Sequence, residues 1–139
     1  MTIINALHIN LDGNAREALE FYKAVFGGEI LAFPYGQVEA GQGPGQEEQI
    51  AWGQVTAPNG FHIMAYDVQD SLPYNRGENP FYSAVRSTDA DEIRAVFNGL
   101  SDGAEILVPL GPAVFSPLYG KLVDKFGVVW ILDVIAQWT

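Results

Sequence analysis

Two histidines, His8 and His62, and three aspartates in apolar company, Asp67, Asp124 and Asp133, are the residues through which this sequence could do acid–base or metal chemistry. The histidines stand far apart, with no HxH or HExxH spacing to present them as a ligand pair. His8, in an apolar segment, reads as a hydrogen-bonded histidine under a helix or at a subunit contact. His62 follows a turn and reads as a rim residue. Asp67 ends an apolar run, as a turn cap does, and Asp124, beside Lys125, reads as a structural hairpin residue. Asp133 lies inside the apolar run Val128–Ala136, where a carboxylate needs a partner, so it is the weak catalytic candidate. The absence of cysteine excludes disulfides, thiolate nucleophiles, Cys-ligated zinc and iron–sulfur clusters. No serine stands in a nucleophile elbow, and no GxGxxG or P-loop pattern opens a helix. Aromatic residues are the richer signal. Trp52, Tyr66, Phe115, Tyr119 and Trp130 fall on or beside apolar runs, where they either fill sheet cores and subunit seams or line a pocket that stacks a flat molecule. Phe115, in a loop, is placed to act as a lid.

The elements that must position these residues follow from periodicity. Ile3 to Leu11 reads as a strand stopped by Asp12-Gly13. Asn14 and Glu17 have capping-box spacing, and the helix AREALEFYKAVF carries Ala18, Leu19, Tyr22, Val25 and Phe26 on one stripe up to Gly27-Gly28. Strands are expected over Glu29–Tyr35, Gln49–Ala57 and Phe61–Asp67, with a long mobile loop at Gly36–Glu48 and a second polar loop at Val68–Pro80. The pattern then restarts: a strand Phe81–Arg86, a helix capped by Thr88 with Ala90, Ile93, Phe97 and Leu100 on one face, and a strand Ala104–Pro109. A loop Gly111–Pro117 and a hairpin of Tyr119–Asp124 with Val128–Ala136 complete it. Ala24-Val25-Phe26 recurs as Ala95-Val96-Phe97, and Glu29-Ile30-Leu31 as Glu105-Ile106-Leu107. The chain is therefore a repeat of strand–helix–strand–strand–strand, and the open face of each sheet must meet a sister module, a second subunit or a ligand.

The 139 residues carry seven Lys+Arg against seventeen Asp+Glu, a formal net charge of −10. Seven scattered cations make no basic patch, so nucleic acid and anionic membrane surfaces are disfavoured as partners. At 48% hydrophobic and 17% charged the chain folds rather than staying disordered. No apolar run reaches the roughly 18 residues a membrane span needs. The start, MTIINALHINLDGN, has no cationic, apolar leader pattern, which leads us to expect a cytoplasmic protein.

The run Asp12 to Tyr22, with Val25-Phe26-Gly27-Gly28-Glu29, resembles the opening of PhnB-like proteins, a branch of the vicinal-oxygen-chelate superfamily of glyoxalase I, bleomycin-resistance proteins and extradiol dioxygenases. Gly120 to Trp130 is similar to the closing hairpin of that branch, and Thr88-Asp89-Ala90-Asp91-Glu92 fits the approach to its second helix. The resemblance implies an α+β protein of tandem βαβββ modules, about 1–67 and about 81–139 of a single domain, with mixed curved sheets and helices on the outer face. It also implies a cup-shaped site and a homodimer. The superfamily's chemistry uses a divalent metal held by His, Glu or Gln from four strands. Those positions carry over to Leu7, near Met64, near Ser83 and to Ile131, and a further histidine position to Trp52. Leucine, methionine and isoleucine do not hold hard divalent ions. A one-residue slip in strand register would instead bring in His8, and a set of His8, His62 and Asp133 is the fallback metal site.

The expectation is thus a metal-independent, cofactor-free protein that binds a small-molecule ligand in an apolar cup through Trp52, Met64, Tyr66, Ser83 and Phe115. The alternatives are a metal-dependent lyase, isomerase or dioxygenase on a vicinal-oxygen substrate, and a drug-sequestering dimer without turnover. The association of PhnB-like sequences with demethylubiquinone methyl transfer finds no support in these residues, since no nucleotide-type motif for a methyl donor is readable.

Overall fold

The computed structural model describes residues 3–38 and 41–136. Its elements are β1 (Leu7–Leu11), α1 (Ala15–Phe26), β2 (Glu29–Pro34), a 3-10 turn (Tyr35–Gln37), β3 (Ile50–Thr56) and β4 (His62–Asp67), then β5 (Ser83–Ser87), α2 (Ala90–Leu100), β6 (Glu105–Ala113), β7 (Ser116–Val123) and β8 (Val129–Val134). Two four-stranded mixed sheets result, ordered β1-β4-β3-β2 and β5-β8-β7-β6, each with one helix. These are two βαβββ modules. The chain divides into compact units at 1–76 and 77–139. No described helix is long and apolar enough to cross a membrane.

In the first unit, Ala15, Ala18, Leu19, Tyr22 and Phe26 form the buried stripe of α1, which packs on β2, β3 and β4. Alternation along the strands sends Ile9, Leu11, Val55, Ile63 and Ala65 to the same interior. Each fully buried aliphatic side chain there is worth about 1.5–3 kcal/mol. The helix approaches closely because β3 has no side chain beneath Leu19: a Cβ on Gly53 would stand 2.6 Å from Leu19 Cδ1. The second unit repeats the device, since a Cβ on Gly120 of β7 would stand 2.8 Å from Phe97 Cε2 of α2.

Three local expectations are corrected. Asn14 makes no side-chain cap bond. The acceptor at the start of α1 is Asp67, 1% exposed, whose Oδ1 takes the N–H of Gly13 (2.8 Å) and of Ala15 (3.0 Å). A buried carboxylate is a stronger acceptor than a neighbouring amide and so displaces it. At α2 the cap is Asp89, not Thr88, with its side chain on Asp91 N at 2.9 Å. Finally, most of Gly111–Pro117 is strand: β6 and β7 pair as far as Ala113 and Ser116, leaving only Val114 and Phe115 at the hairpin tip.

Two carboxamides hold the described part of the glycine-rich stretch before β3, and Gln42 donates from Nε2 to Tyr35 O (3.2 Å) and Val38 O (3.1 Å). Gln46, 4% exposed, accepts from Gly43 N (2.7 Å) and Asp70 N (2.9 Å) and donates to Gln49 Oε1 (2.8 Å) and Val68 O (3.2 Å). All four bonds of which a carboxamide is capable are made.

Candidate functional site

The face of the first sheet opposite α1 is set by register. On β1 the residues Leu7, Ile9 and Leu11 pair with Ile63, Ala65 and Asp67 on the helix side, which leaves His8 and Asn10 beside Met64 and Tyr66 on the other. The carried-over position Leu7 therefore does not share a face with Met64, whereas His8 does. The apolar alternation L-H-I-N-L was the sequence signal for this, because the period-2 apolar residues belong to the core side. On β3, Trp52, Gln54 and Thr56 join the open face, and Leu31 and Phe33 of edge strand β2 extend it.

Met64 is the floor of this face, since it pairs with His8 on one side and Gln54 on the other. The Tyr66 ring meets the His8 ring edge-on at 5.3 Å, and Phe33 lies 5.8 Å from Trp52. His8 Nδ1 is 2.9 Å from Asn10 Oδ1, and His62 Nε2 is 3.0 Å from Gln54 Oε1. Trp52, Gln54, His62, Met64 and Tyr66 are half-buried, as surfaces that exchange water for a ligand are. Asn10, Gln54, Leu31 and Phe33 were not among the sequence candidates; their strand parity with Trp52 and Met64 was the available signal.

The second sheet's open face is built differently. Here Ala84, Arg86, Ile131, Asp133, Tyr119 and Lys121 come together across β5, β8 and β7. Ser83 pairs with Trp130 on the helix side, so the carried-over position Ser83 and Ile131 lie on opposite faces. Asp133 has the partner its setting requires: Arg86 donates from Nε to Oδ1 (3.0 Å) and from Nη2 to Oδ2 (3.2 Å). That bidentate hydrogen bonding, and then the carboxylate's charge, raises the Arg86 pKa above its ordinary value. Lys121 Nζ sits 4.6 Å from the centre of the Tyr82 ring. Phe115, 53% exposed at the hairpin tip, packs edge-on against Tyr119 at 5.0 Å.

The remaining aspartates are structural. Asp67 Oδ2 accepts from Ile50 N (2.9 Å), and its carbonyl accepts from the buried Tyr35 hydroxyl (2.7 Å). Burial first, then the charges of Tyr66 and Asp67, raise the Tyr35 pKa and keep that hydroxyl a donor. Asp124 accepts from Phe126 N, Val128 N and Trp130 Nε1. A cleft of about 540 Å³ at the start of α1 is lined by Arg16, Glu47 and Glu48 among others, and the Asp67 carboxylate on its wall is already committed to backbone donors.

A divalent metal, which the superfamily uses, does not fit these residues. Among those described, no three His, Cys, Asp or Glu side chains gather to hold one. His8 and His62 belong to the first unit, and Asp133 is engaged by Arg86 in the second.

Comparison with known proteins matches this architecture. The profile of the 3-demethylubiquinone-9 3-methyltransferase family matches residues 2–133. A PhnB protein from Bacillus cereus, described as a putative enzyme of that name, is 30% identical over 94% of this chain and 98% of its own, with a TM-score of 0.71. Protein PA1353 from Pseudomonas aeruginosa is 25% identical over 98% and 100%, with a TM-score of 0.83. A glyoxylase/bleomycin resistance protein/dioxygenase domain from Frankia sp. EAN1pec, 10% identical over 98% and 99% with a TM-score of 0.66, shares the fold. The chain belongs to the PhnB-like 3-demethylubiquinone-9 3-methyltransferase family, built on the glyoxalase/bleomycin-resistance fold.

Proposed function

We propose that this protein binds an uncharged, planar small molecule on the open face of its first sheet, and does so without a metal. The observation that carries the reading is a face on which Trp52, Phe33, Tyr66 and the Met64 thioether lie together with two imidazoles and, among the described residues, no ion pair. Binding would come from apolar burial at about 25 cal/mol per Å², with the carboxamides and imidazoles orienting the ligand. Methyl transfer, which the family's name describes, needs a seat for a nucleotide-like donor. The glycine-rich stretch, the one segment with the composition of such a seat, is pinned by Gln46 and runs into a strand, not a helix, and this favours binding over transfer.

The test is titration with 2-naphthol, followed by NMR of the Trp52 indole and the Met64 methyl. Saturable shifts at both support the reading; shifts at neither would remove it. Elemental analysis of protein purified without chelators is expected to give no stoichiometric divalent ion, and one tightly held ion per chain would remove the metal-independent part. The homodimer expectation draws support from β6, where Ile106, Leu107 and Val108 are each about two-fifths exposed. A monomer in sedimentation equilibrium at micromolar concentration would end it.

A further inference from the structure

This inference rests on the reading above and specifies its ligand. Each imidazole on the first open face has one ring nitrogen against a carboxamide oxygen: His8 Nδ1 on Asn10 Oδ1 and His62 Nε2 on Gln54 Oε1. A carboxamide oxygen only accepts, so the nitrogen facing it carries the hydrogen. In the neutral ring the other nitrogen then holds a lone pair. The two neighbours thus fix opposite tautomers, with His8 bare at Nε2 and His62 bare at Nδ1. Neither ring has an ion-pair partner among the described side chains. Met64 adjoins both, opposite His8 across the β1–β4 ladder and two residues from His62 along β4, with the Tyr66 ring against His8, so the two imidazoles border one apolar floor.

We propose that this face selects neutral aromatic molecules carrying ring O–H or N–H groups, with His8 Nε2 and His62 Nδ1 as the accepting atoms. A ligand of the same shape whose hydroxyl is methylated would desolvate both nitrogens and give nothing back. Unpaired polar atoms of this kind, rather than shape, separate such pairs of ligands.

Two measurements test it. Long-range proton–nitrogen correlation on the unliganded protein is expected to show His8 protonated at Nδ1 and His62 at Nε2. Asn10→Ala should return His8 toward the Nε2–H form that imidazole favours in water, while His62 stays as it is. In titrations, 2-naphthol should bind about tenfold more tightly than 2-methoxynaphthalene, the worth of the one hydrogen bond that its single hydroxyl can donate to either nitrogen. His8→Phe should reduce that ratio while 2-methoxynaphthalene still binds. Equal affinities at Trp52 and Met64, or a His8 ring bare at Nδ1, would overturn the acceptor assignment and leave the aromatic-ligand reading standing. If neither compound shifts those two residues, both fall.

Discussion

The two sheets share a strand order and a helix placement, yet the faces they leave open differ in kind. The first carries rings, a thioether and hydrogen-bonded imidazoles. The second carries a bidentate Arg86–Asp133 pair and a lysine over Tyr82. The repeat governs which positions point away from the helix, and the residues placed there choose the chemistry. The helix starts differ in the same way: α1 begins on a carboxylate reached from β4, and α2 on its own Asp89.

The sharpest way to break this comparison is at the caps. Asp67→Ala strands three backbone donors, the buried ones of Ala15 and Ile50 and the part-buried one of Gly13, and should cost about 3 kcal/mol in urea unfolding. Asp89→Ala removes an exposed local cap and should cost about 1 kcal/mol. Equal losses would mean that the two helix starts are held alike. Next come the paired glycines. Gly53→Ala and Gly120→Ala each place a methyl against a packed side chain, and each should lower stability by about 1–3 kcal/mol. If either is neutral in thermal unfolding, the close approach in that unit is not needed.

Between the open faces, Trp52→Ala should weaken 2-naphthol binding roughly tenfold, while Tyr119→Ala leaves it unchanged. Matching losses would dissolve the distinction between the faces. The smallest effect concerns alkali. Because the Tyr35 pKa is raised above 10.0, its contribution to stability is complete below pH 10 and declines as pH climbs through the higher folded-state value. Tyr35→Phe should flatten that alkaline decline, which unfolding midpoints across the range would show.

Helix α1 was legible to the residue from its apolar stripe and Gly27-Gly28, and the repeat of strand–helix–strand–strand–strand was legible too. Face assignment was less so. Aligning helix starts matched Leu7 with Met64 and Ser83 with Ile131, whereas the ladders put His8 on the face of Met64 and Ala84 on that of Ile131, and one residue of slip is a change of face. Asp124 as a hairpin residue was readable because it follows an apolar run at a turn signal, and so was the place of Asp67 at the end of a strand. That Asp67 would replace Asn14 at α1 was not, because the bond joins residues more than fifty positions apart. Arg86 as the partner of Asp133 was hidden for the same reason.

Asp67 also ties the lifetimes of distant segments together. The loop before α1, the first residue of the helix and the opening of β3 all surrender an amide hydrogen to one carboxylate. None of the three can be released without the others losing their acceptor's geometry. Deuterium should therefore enter Gly13, Ala15 and Ile50 in a single concerted opening, at one shared rate, although thirty-five or more residues separate the third from the first two.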